Sequence, residues 1–289
     1  MPPCSSVCPP RSPSSGIRPN LGFAAANNQG IERARGRHLC LLNPDTRLLD
    51  GSVQAMLRYL DQHPGVGMVG PRIWADDERT LQLPPGDPPS LWYLGGRALG
   101  DAVPWLRRRR ARRWRQDAIR FWRAEAPTTV TMLSGACLMV SREALGRVGG
   151  FDSGFFLYYE DADLCRRIRR HGLQLVVVPT AEVVHYYNQS AQADPHGAWT
   201  HAMASERRFV RIHYGPLGAA IHRAATALGA RVAHRGGSLH QTGVIDLGAA
   251  TTPPRFELQG GSASEKARLW QISPDRWCAP SAGAFVTGR

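Results

Sequence analysis

Glu160-Asp161-Ala162-Asp163-Leu164-Cys165-Arg166-Arg167-Ile168-Arg169-Arg170-His171-Gly172-Leu173-Gln174-Leu175-Val176-Val177-Val178 is the stretch that decides the fold. Leu164, Cys165 and Ile168 recur at helical spacing, with Asp161 on the same face, so residues 160–170 read as an amphipathic helix. Gly172 ends it, because glycine takes the left-handed backbone of a helix terminus at little cost. Leu173–Val178 is then almost wholly apolar, the pattern of a short strand buried on both faces. A helix that feeds such a strand is a unit of an α/β sheet.

Working outward, the same alternation recurs. Phe23–Arg35 reads as a helix stopped by Gly36, and His38–Leu42 as a short strand that ends at Asn43-Pro44-Asp45-Thr46. Val53, Met56, Leu57 and Leu60 fall at i, i+3, i+4 and i+7, a helix that ends before Pro64, and Val66–Val69 is a second strand. Thr80–Ala126 reads as irregular and arginine-rich, broken early by Pro84, Pro85, Pro88 and Pro89. Cys137–Val140 is a strand. The helix after it has Ser141 as its cap, Glu143 in its first turn and Gly149-Gly150 at its close. Beyond Val178, Ala181–His185 is a short extended piece, and Trp199, Ala202, Met203 and Phe209 begin a last amphipathic region. Short buried strands separated by helices predict an α/β domain with a mostly parallel sheet and ligands at the strands' C-terminal ends.

Composition bounds the rest. Residues 1–19, rich in Pro and Ser, read as a disordered or non-native leader. Residues 20–216 are the sheet domain, 217–232 a helical extension, and 233–289 a loosely structured tail rich in Gly, Ser and Pro. With 43% hydrophobic and 20% charged residues, the 289-residue chain is globular rather than disordered. It has no run of the roughly 18–20 apolar residues that a membrane-spanning helix needs. Nor do residues 1–19 have the apolar core of a secretory signal, which places the protein on the cytoplasmic side, soluble or peripheral. Cys4, Cys8, Cys40, Cys137, Cys165 and Cys278 lack the paired spacing of a zinc site and read as reduced thiols.

The net charge is +13, and of 36 basic residues only Lys266 is a lysine. An arginine bias of that kind is consistent with genome composition as well as with function. Between Arg107 and Arg123 the arginines interleave with Trp105, Trp114, Phe121 and Trp122, which suits either a helix on an anionic membrane surface or a solvated surface helix or loop. No nucleic-acid motif accompanies the charge, so no nucleic-acid partner is expected.

Two acidic sites and one histidine carry the candidate chemistry. Asp45 sits at a strand's C-terminal end, where a carboxylate can hold a divalent cation against phosphate oxygens; a plain turn-forming Asp is the alternative. In Glu160-Asp161-Ala162-Asp163, the helical wheel turns Asp161 toward the interior and Asp163 toward solvent, where it would pair with Arg166 or Arg167. An enclosed carboxylate beside other acids can serve as a base with a raised pKa, whereas acids at a helix start also complement its dipole. His185 ends a buried strand, as a metal ligand or a satisfied core histidine. Together the three favour a metal-and-base site.

Six blocks appear in order: Asn20-Leu21-Gly22-Phe23-Ala24-Ala25-Ala26-Asn27-Asn28-Gln29-Gly30; Leu41-Leu42-Asn43-Pro44-Asp45-Thr46; Ser134-Gly135-Ala136-Cys137-Leu138-Met139-Val140; Gly149-Gly150-Phe151-Asp152; Phe155 to Cys165; and Val183-Val184-His185. This succession, from about Asn20 to Pro216, closely resembles the family 2 glycosyltransferases of the GT-A fold, in the rhamnosyltransferase-like branch of bacterial cell-envelope enzymes. The resemblance implies an inverting transfer from a nucleotide-diphosphate sugar donor to a glycan or lipid-linked acceptor, with Mg²⁺ or Mn²⁺ as cofactor. It implies that Asn43-Pro44-Asp45 stands in the place of the metal-binding Asp-x-Asp motif, that Asp45 is its retained carboxylate, and that His185 matches a histidine that in some relatives completes the metal shell. By the same likeness Asp161 is the base, Glu160 its acidic neighbour, and Asn43, Ser134, Gly135 and Ala136 line the donor and acceptor pocket. The family opens with a strand–helix–strand unit that holds the nucleotide, and Met1–Pro19 does not match it, so the chain reads as truncated at its N-terminus. An inactive fragment and a non-catalytic basic module for anionic membrane or nucleic acid are the competing expectations.

Overall fold

The protein is described from a computed structural model that covers residues 20–84, 86, 89–91, 93–95, 104–186, 195–233, 268–272 and 282–286. Helix α1 (Phe23–Arg33) starts from Gly22 at φ 85°, where a Cβ would lie 2.4 Å from the Phe156 carbonyl oxygen. That close approach lets the Phe23 N–H donate to the same carbonyl at 2.8 Å, which ties α1 to the aromatic run before Glu160. Strand β1 (His38–Leu42) follows with the expected bounds, then β2 (Thr46–Leu48), α2 (Ser52–Gln62) and β3 (Val66–Trp74). Next come α3 (Pro104–Trp122), β4 (Thr128–Val130), β5 (Cys137–Ser141) and α4 (Arg142–Val148). The chain continues through α5 (Glu160–Arg170), β6 (Gln174–His185) and α6 (Pro195–Ala233). Ser141 caps α4 as expected, its hydroxyl accepting the Ala144 N–H at 3.0 Å.

One sheet organises these elements in the order β1-β5-β3-β6-β2, with β4 also on β6. Side chains alternate cleanly across it. Leu138, Val140, Leu175 and Val177 join Leu164, Ile168, Ala144 and Ala24 on one face. Cys137, Met139, Val176 and Val178 join Met56 and Leu60 of α2 on the other. The sheet is thus filled on both faces by helices, which is why its strands read as continuous apolar runs. The Ser52 hydroxyl pins the start of α2 to β6, donating to the Glu182 carbonyl at 2.7 Å and accepting the Glu182 N–H at 2.9 Å.

Three expectations need correcting. The sheet is mixed rather than mostly parallel: β3–β6 is its one parallel pairing among the described residues, and β1–β5, β3–β5, β4–β6 and β2–β6 are antiparallel. Apolar runs report burial on two faces and say nothing about strand direction. The second difference is that Ala181–His185 belongs to one continuous β6 rather than a separate piece. The third is that the arginine-rich stretch between Thr80 and Ala126 contains the 19-residue helix α3. Pro104 is compatible with its first turn, and arginine is a good helix former.

The aromatics of α3 turn mostly inward. Trp122 is buried, Phe121 packs against the core, and Trp114 meets Trp122 edge-to-face at 6.1 Å, whereas Trp105 stays exposed. The apolar side that suited a membrane is therefore largely used for packing. Helix α6 breaks at Gly215 (φ 68°, ψ −170°), just before Pro216, into two arms. Farther on, β7 (Arg268–Ile272) and β8 (Ala282–Val286) pair antiparallel within the segment read from sequence as a loosely structured tail. Residues 1–19 lie outside the described residues. Among the described cysteines, Cys137 and Cys165 are buried free thiols and Cys40 is an exposed one.

Candidate active site

The turn that ends β1, the loop that leads into β5 and the last residue of β6 share one edge of the sheet, because β1 and β3 run antiparallel to β5 while β6 runs parallel to β3. Backbone bonds lock this edge together. The Asn43 N–H donates to the Ala136 carbonyl at 2.9 Å, and the Tyr186 N–H donates to the Asp45 carbonyl at 3.0 Å. Within the loop, the Ser134 hydroxyl accepts the Ala136 N–H at 3.2 Å. The Gly135 N–H reaches in the other direction and donates to Asp161 Oδ2 at 3.0 Å. Two hydrogen-bonded sets, Asn43–Ala136–Ser134 and Gly135–Asp161, are thus linked through the consecutive residues Ser134, Gly135 and Ala136 of one loop.

Asp45 and His185 meet beside them, with Asp45 Oδ1 3.3 Å from His185 Nε2. The imidazole is buried, which lowers its pKa below the ordinary 6.5 even though Asp45 opposes that shift. It is neutral at pH 7, the form in which histidine binds a metal. Asn43 Oδ1 and Thr46 Oγ1 are buried and have no hydrogen-bond partner among the described residues. Buried orphan oxygens beside a carboxylate and a neutral imidazole suit a small divalent cation. Among the described residues no group of three or more His, Cys, Asp or Glu side chains could hold a metal. Two such side chains still match a Mg²⁺-like ion, which commonly takes one or two protein ligands plus substrate phosphates.

Asp161 and Glu160 open α5 and differ in their surroundings. Asp161 accepts the Gly135 N–H through one oxygen and the Ala162 N–H through the other at 2.8 Å. Burial raises its pKa, and the two backbone donors work against that rise. Glu160 is buried, its Oε2 has no partner, and burial together with the Asp161 charge pushes its pKa up to about 8. Burial and the Asp161 charge thus favour the protonated form of Glu160, while the Gly135 and Ala162 donors favour the charged form of Asp161.

A stability test follows from Glu160. Its folded pKa lies above its ordinary 4.5, so its stabilising contribution is complete below that value and is lost as pH rises toward about 8. Glu160→Gln stays neutral throughout. The variant should therefore melt progressively higher than the wild type as pH rises through this window, with the gap levelling off above it. Melting curves across pH check this.

The backbone just before the dyad is strained. Tyr158 and Tyr159 both sit at φ 69°, a left-handed conformation that costs a non-glycine residue roughly 1–2 kcal/mol. A buried network holds Tyr159. Its hydroxyl donates to Glu206 Oε2 at 2.6 Å, and Glu206 Oε1 lies 2.8 Å from His222 Nε2. Sequence reading missed these α6 residues. A buried Glu–His pair 16 residues apart on two helix arms leaves no local pattern to find.

Asp163 corrects an expectation. It pairs with Arg167 at 2.7 Å as foreseen, but it is buried rather than solvated and also contacts His213 Nε2 at 2.8 Å. The wheel misjudged it because α6 packs across that side of α5.

The model of the glycosyltransferase-like family 2 matches residues 17–208, more than half of the chain. The chain belongs to this family. One similar protein is the N-acetylglucosaminyl-diphospho-decaprenol L-rhamnosyltransferase of Mycobacterium tuberculosis, 38% identical over 187 residues, which cover 61% of this chain and 59% of the relative. Rhamnosyltransferase WbbL of Escherichia coli is 41% identical over 59 residues, 20% of this chain and 22% of that protein. The chain thus spans about 59% of the length of the mycobacterial relative it matches. A crystal structure of GalNAc-T7 with UDP, GalNAc and Mn²⁺ overlaps 66% of this chain and 35% of its own, with TM-score 0.44 and 15% identity. The region matched by the family runs from residue 17 into the first arm of α6 and includes Asp45, Asp161 and His185.

Proposed function

We propose that this family 2 chain is an inverting glycosyltransferase on the cytoplasmic side, moving a sugar from a nucleotide-diphosphate donor to a lipid-linked or cell-envelope glycan acceptor. Rhamnose is the sugar suggested by the mycobacterial and E. coli relatives. The observation that carries the reading is the bonded edge of the sheet. Asn43 to Ala136 and Gly135 to Asp161 draw the Asp45–His185 pair and an enclosed carboxylate to one mouth.

In this reading Asp161 takes the proton from the acceptor hydroxyl. The oxygen so released forms the new bond to the anomeric carbon, from the face opposite the bond to the departing diphosphate, which leaves with that electron pair. Burial favours the protonated form of Glu160 beside it, which spares the base a second full charge as its neighbour. Gly135 holds the Asp161 carboxylate in place through its backbone N–H and leaves room beside it. Asp45 and His185, with Asn43 adjacent, would hold Mg²⁺ or Mn²⁺, which when bound supplies neutralising charge for the diphosphate leaving group. Positioning of donor and acceptor along the Ser134–Ala136 loop contributes the rest.

The test is turnover of a nucleotide-diphosphate rhamnose by the full chain, read as release of nucleoside diphosphate with Mn²⁺ or Mg²⁺ and again with chelator. Metal-dependent release supports the proposal. Absence of release and of nucleotide binding across a panel of donor sugars identifies a non-catalytic fragment.

A further inference from the structure

The two arms of α6 fold back on each other at Gly215. His222 Nε2 lies 2.8 Å from Glu206 Oε1, although 16 residues separate them and an unbroken helix would hold them about 24 Å apart. Both side chains are buried, and the other Glu206 oxygen takes the Tyr159 hydroxyl at 2.6 Å, which fixes how the arms meet. Beside this contact the arms leave a cleft of about 310 Å³, a size found among small-ligand sites. Arg207, Arg208 and Arg211 line it from the first arm, and Ala219, His222 and Arg223 from the second. Their i, i+3, i+4 spacing puts each set on one face of its arm.

The charge of the cleft is uncompensated. Arg208 is neutralised by Asp152, 2.7 Å away. Between Pro195 and Ala233 the only acid is Glu206, whose two oxygens are taken by Tyr159 and His222. Arg207, Arg211 and Arg223 are exposed and have no acidic partner among the described residues. Arg207 and Arg211 are neighbours at i, i+4, and Arg223 lines the same concavity from the other arm. Three like charges around one cleft concentrate positive potential there, and a multiply charged anion relieves their repulsion. The guanidinium fork matches the oxygens of a phosphate group. No Phe, Tyr or Trp lines the cleft, so it offers no ring on which a nucleobase could stack.

We infer that the cleft between the two arms of α6 is a binding site for a diphosphate group, held by Arg207, Arg211 and Arg223. A phosphate monoester, with a charge of about −1.5 to −2 near pH 7, does not balance three guanidinium groups, and a carboxylate has too few oxygens for three forks. A diphosphate supplies both the charge and the closely spaced oxygens. The group has two sources, a soluble diphosphate and the diphosphate end of a lipid, and each presents the same oxygens to the cleft. None of the cleft residues belongs to the bonded edge of the sheet that carries Asp45, Asp161 and His185. The inference is therefore independent of turnover and of the metal, and stands on binding alone.

The experiment is calorimetric titration of the full chain with inorganic diphosphate, at low and high salt, with chelator present so that no divalent ion can recruit the ligand elsewhere. The wild type should bind one diphosphate, more weakly at high salt. Arg211→Gln with Arg223→Gln should bind at least about tenfold more weakly, whereas Asp45→Ala should bind as the wild type does. Both arginines are exposed and repel each other, so the double variant should melt no lower than the wild type. Diphosphate should raise the melting temperature of the wild type and not that of the double variant. Farnesyl diphosphate distinguishes the sources. Tighter binding than inorganic diphosphate identifies the end of a lipid, and equal or weaker binding a soluble diphosphate. Three outcomes would overturn the inference: no binding of inorganic or farnesyl diphosphate by the wild type, binding by the double variant equal to the wild type, or a loss in Asp45→Ala as large as in the double variant.

Discussion

Asp161→Asn should lower kcat by roughly two to four orders of magnitude, the share a positioned general base supplies. The substitution keeps the size and planarity of the side chain, so KM for the donor should change little. One consequence is specific to this site. Each carboxylate oxygen accepts a backbone N–H, from Gly135 and from Ala162. An amide can accept through only one of its two terminal atoms, so one of these N–H groups faces an NH₂ donor. The variant should therefore also lose about 1–3 kcal/mol of stability, the cost of an unsatisfied donor. Steady-state kinetics with thermal melts separate the two effects. A large loss of kcat in a protein still folded at assay temperature fits a base, and activity within tenfold of the wild type does not. The pH–rate profile gives a second reading. The base acts ionised and its pKa lies above the ordinary 3.8, so the acid limb should fall at higher pH than for a solvated aspartate.

The largest effect on stability should come from Asp163→Ala. Its side chain and that of His213 are 2% and 1% exposed, and Arg167 is mostly covered. Removing the carboxylate strands a buried cation and a buried imidazole, which costs about 3–5 kcal/mol. Urea unfolding should register that loss, whereas Asp163→Asn, which retains an acceptor, should lose less. The acid response gives the sign independently. Burial raises the Asp163 pKa, but the hydrogen bonds from His213 and Arg167 outweigh it and bring the group below 3.8. Its stabilising contribution is therefore present above that value and disappears as pH falls through the lower folded pKa. The wild type should lose this part of its advantage over Asp163→Asn only in strong acid.

The parts of this protein that were legible in sequence are those governed by short-range rules. The bounds of β1, the Ser141 cap and the α5–Gly172–β6 passage follow from period and capping chemistry. Asp45, Asp161 and His185 stood out in sequence only by occurring together, since each taken singly also suits a turn, a helix start or a core position. What stayed hidden depends on distant partners. Strand direction leaves no mark on an apolar run, so the mixed sheet was missed. The burial of Asp163 depends on His213, 50 residues away. The left-handed backbone at Tyr158 and Tyr159 has no signature either, since aromatic residues rarely adopt it; it persists where packing and the Tyr159–Glu206 bond hold it.

Binding of Mn²⁺ to the full chain, followed by electron paramagnetic resonance with a nucleoside diphosphate present, tests the central claim most directly. The account predicts one bound ion for the wild type, and at least tenfold weaker binding for Asp45→Ala and His185→Ala in protein that melting curves show to be folded at the assay temperature. Equal affinity in all three proteins, or an ion that neither substitution disturbs, would contradict it.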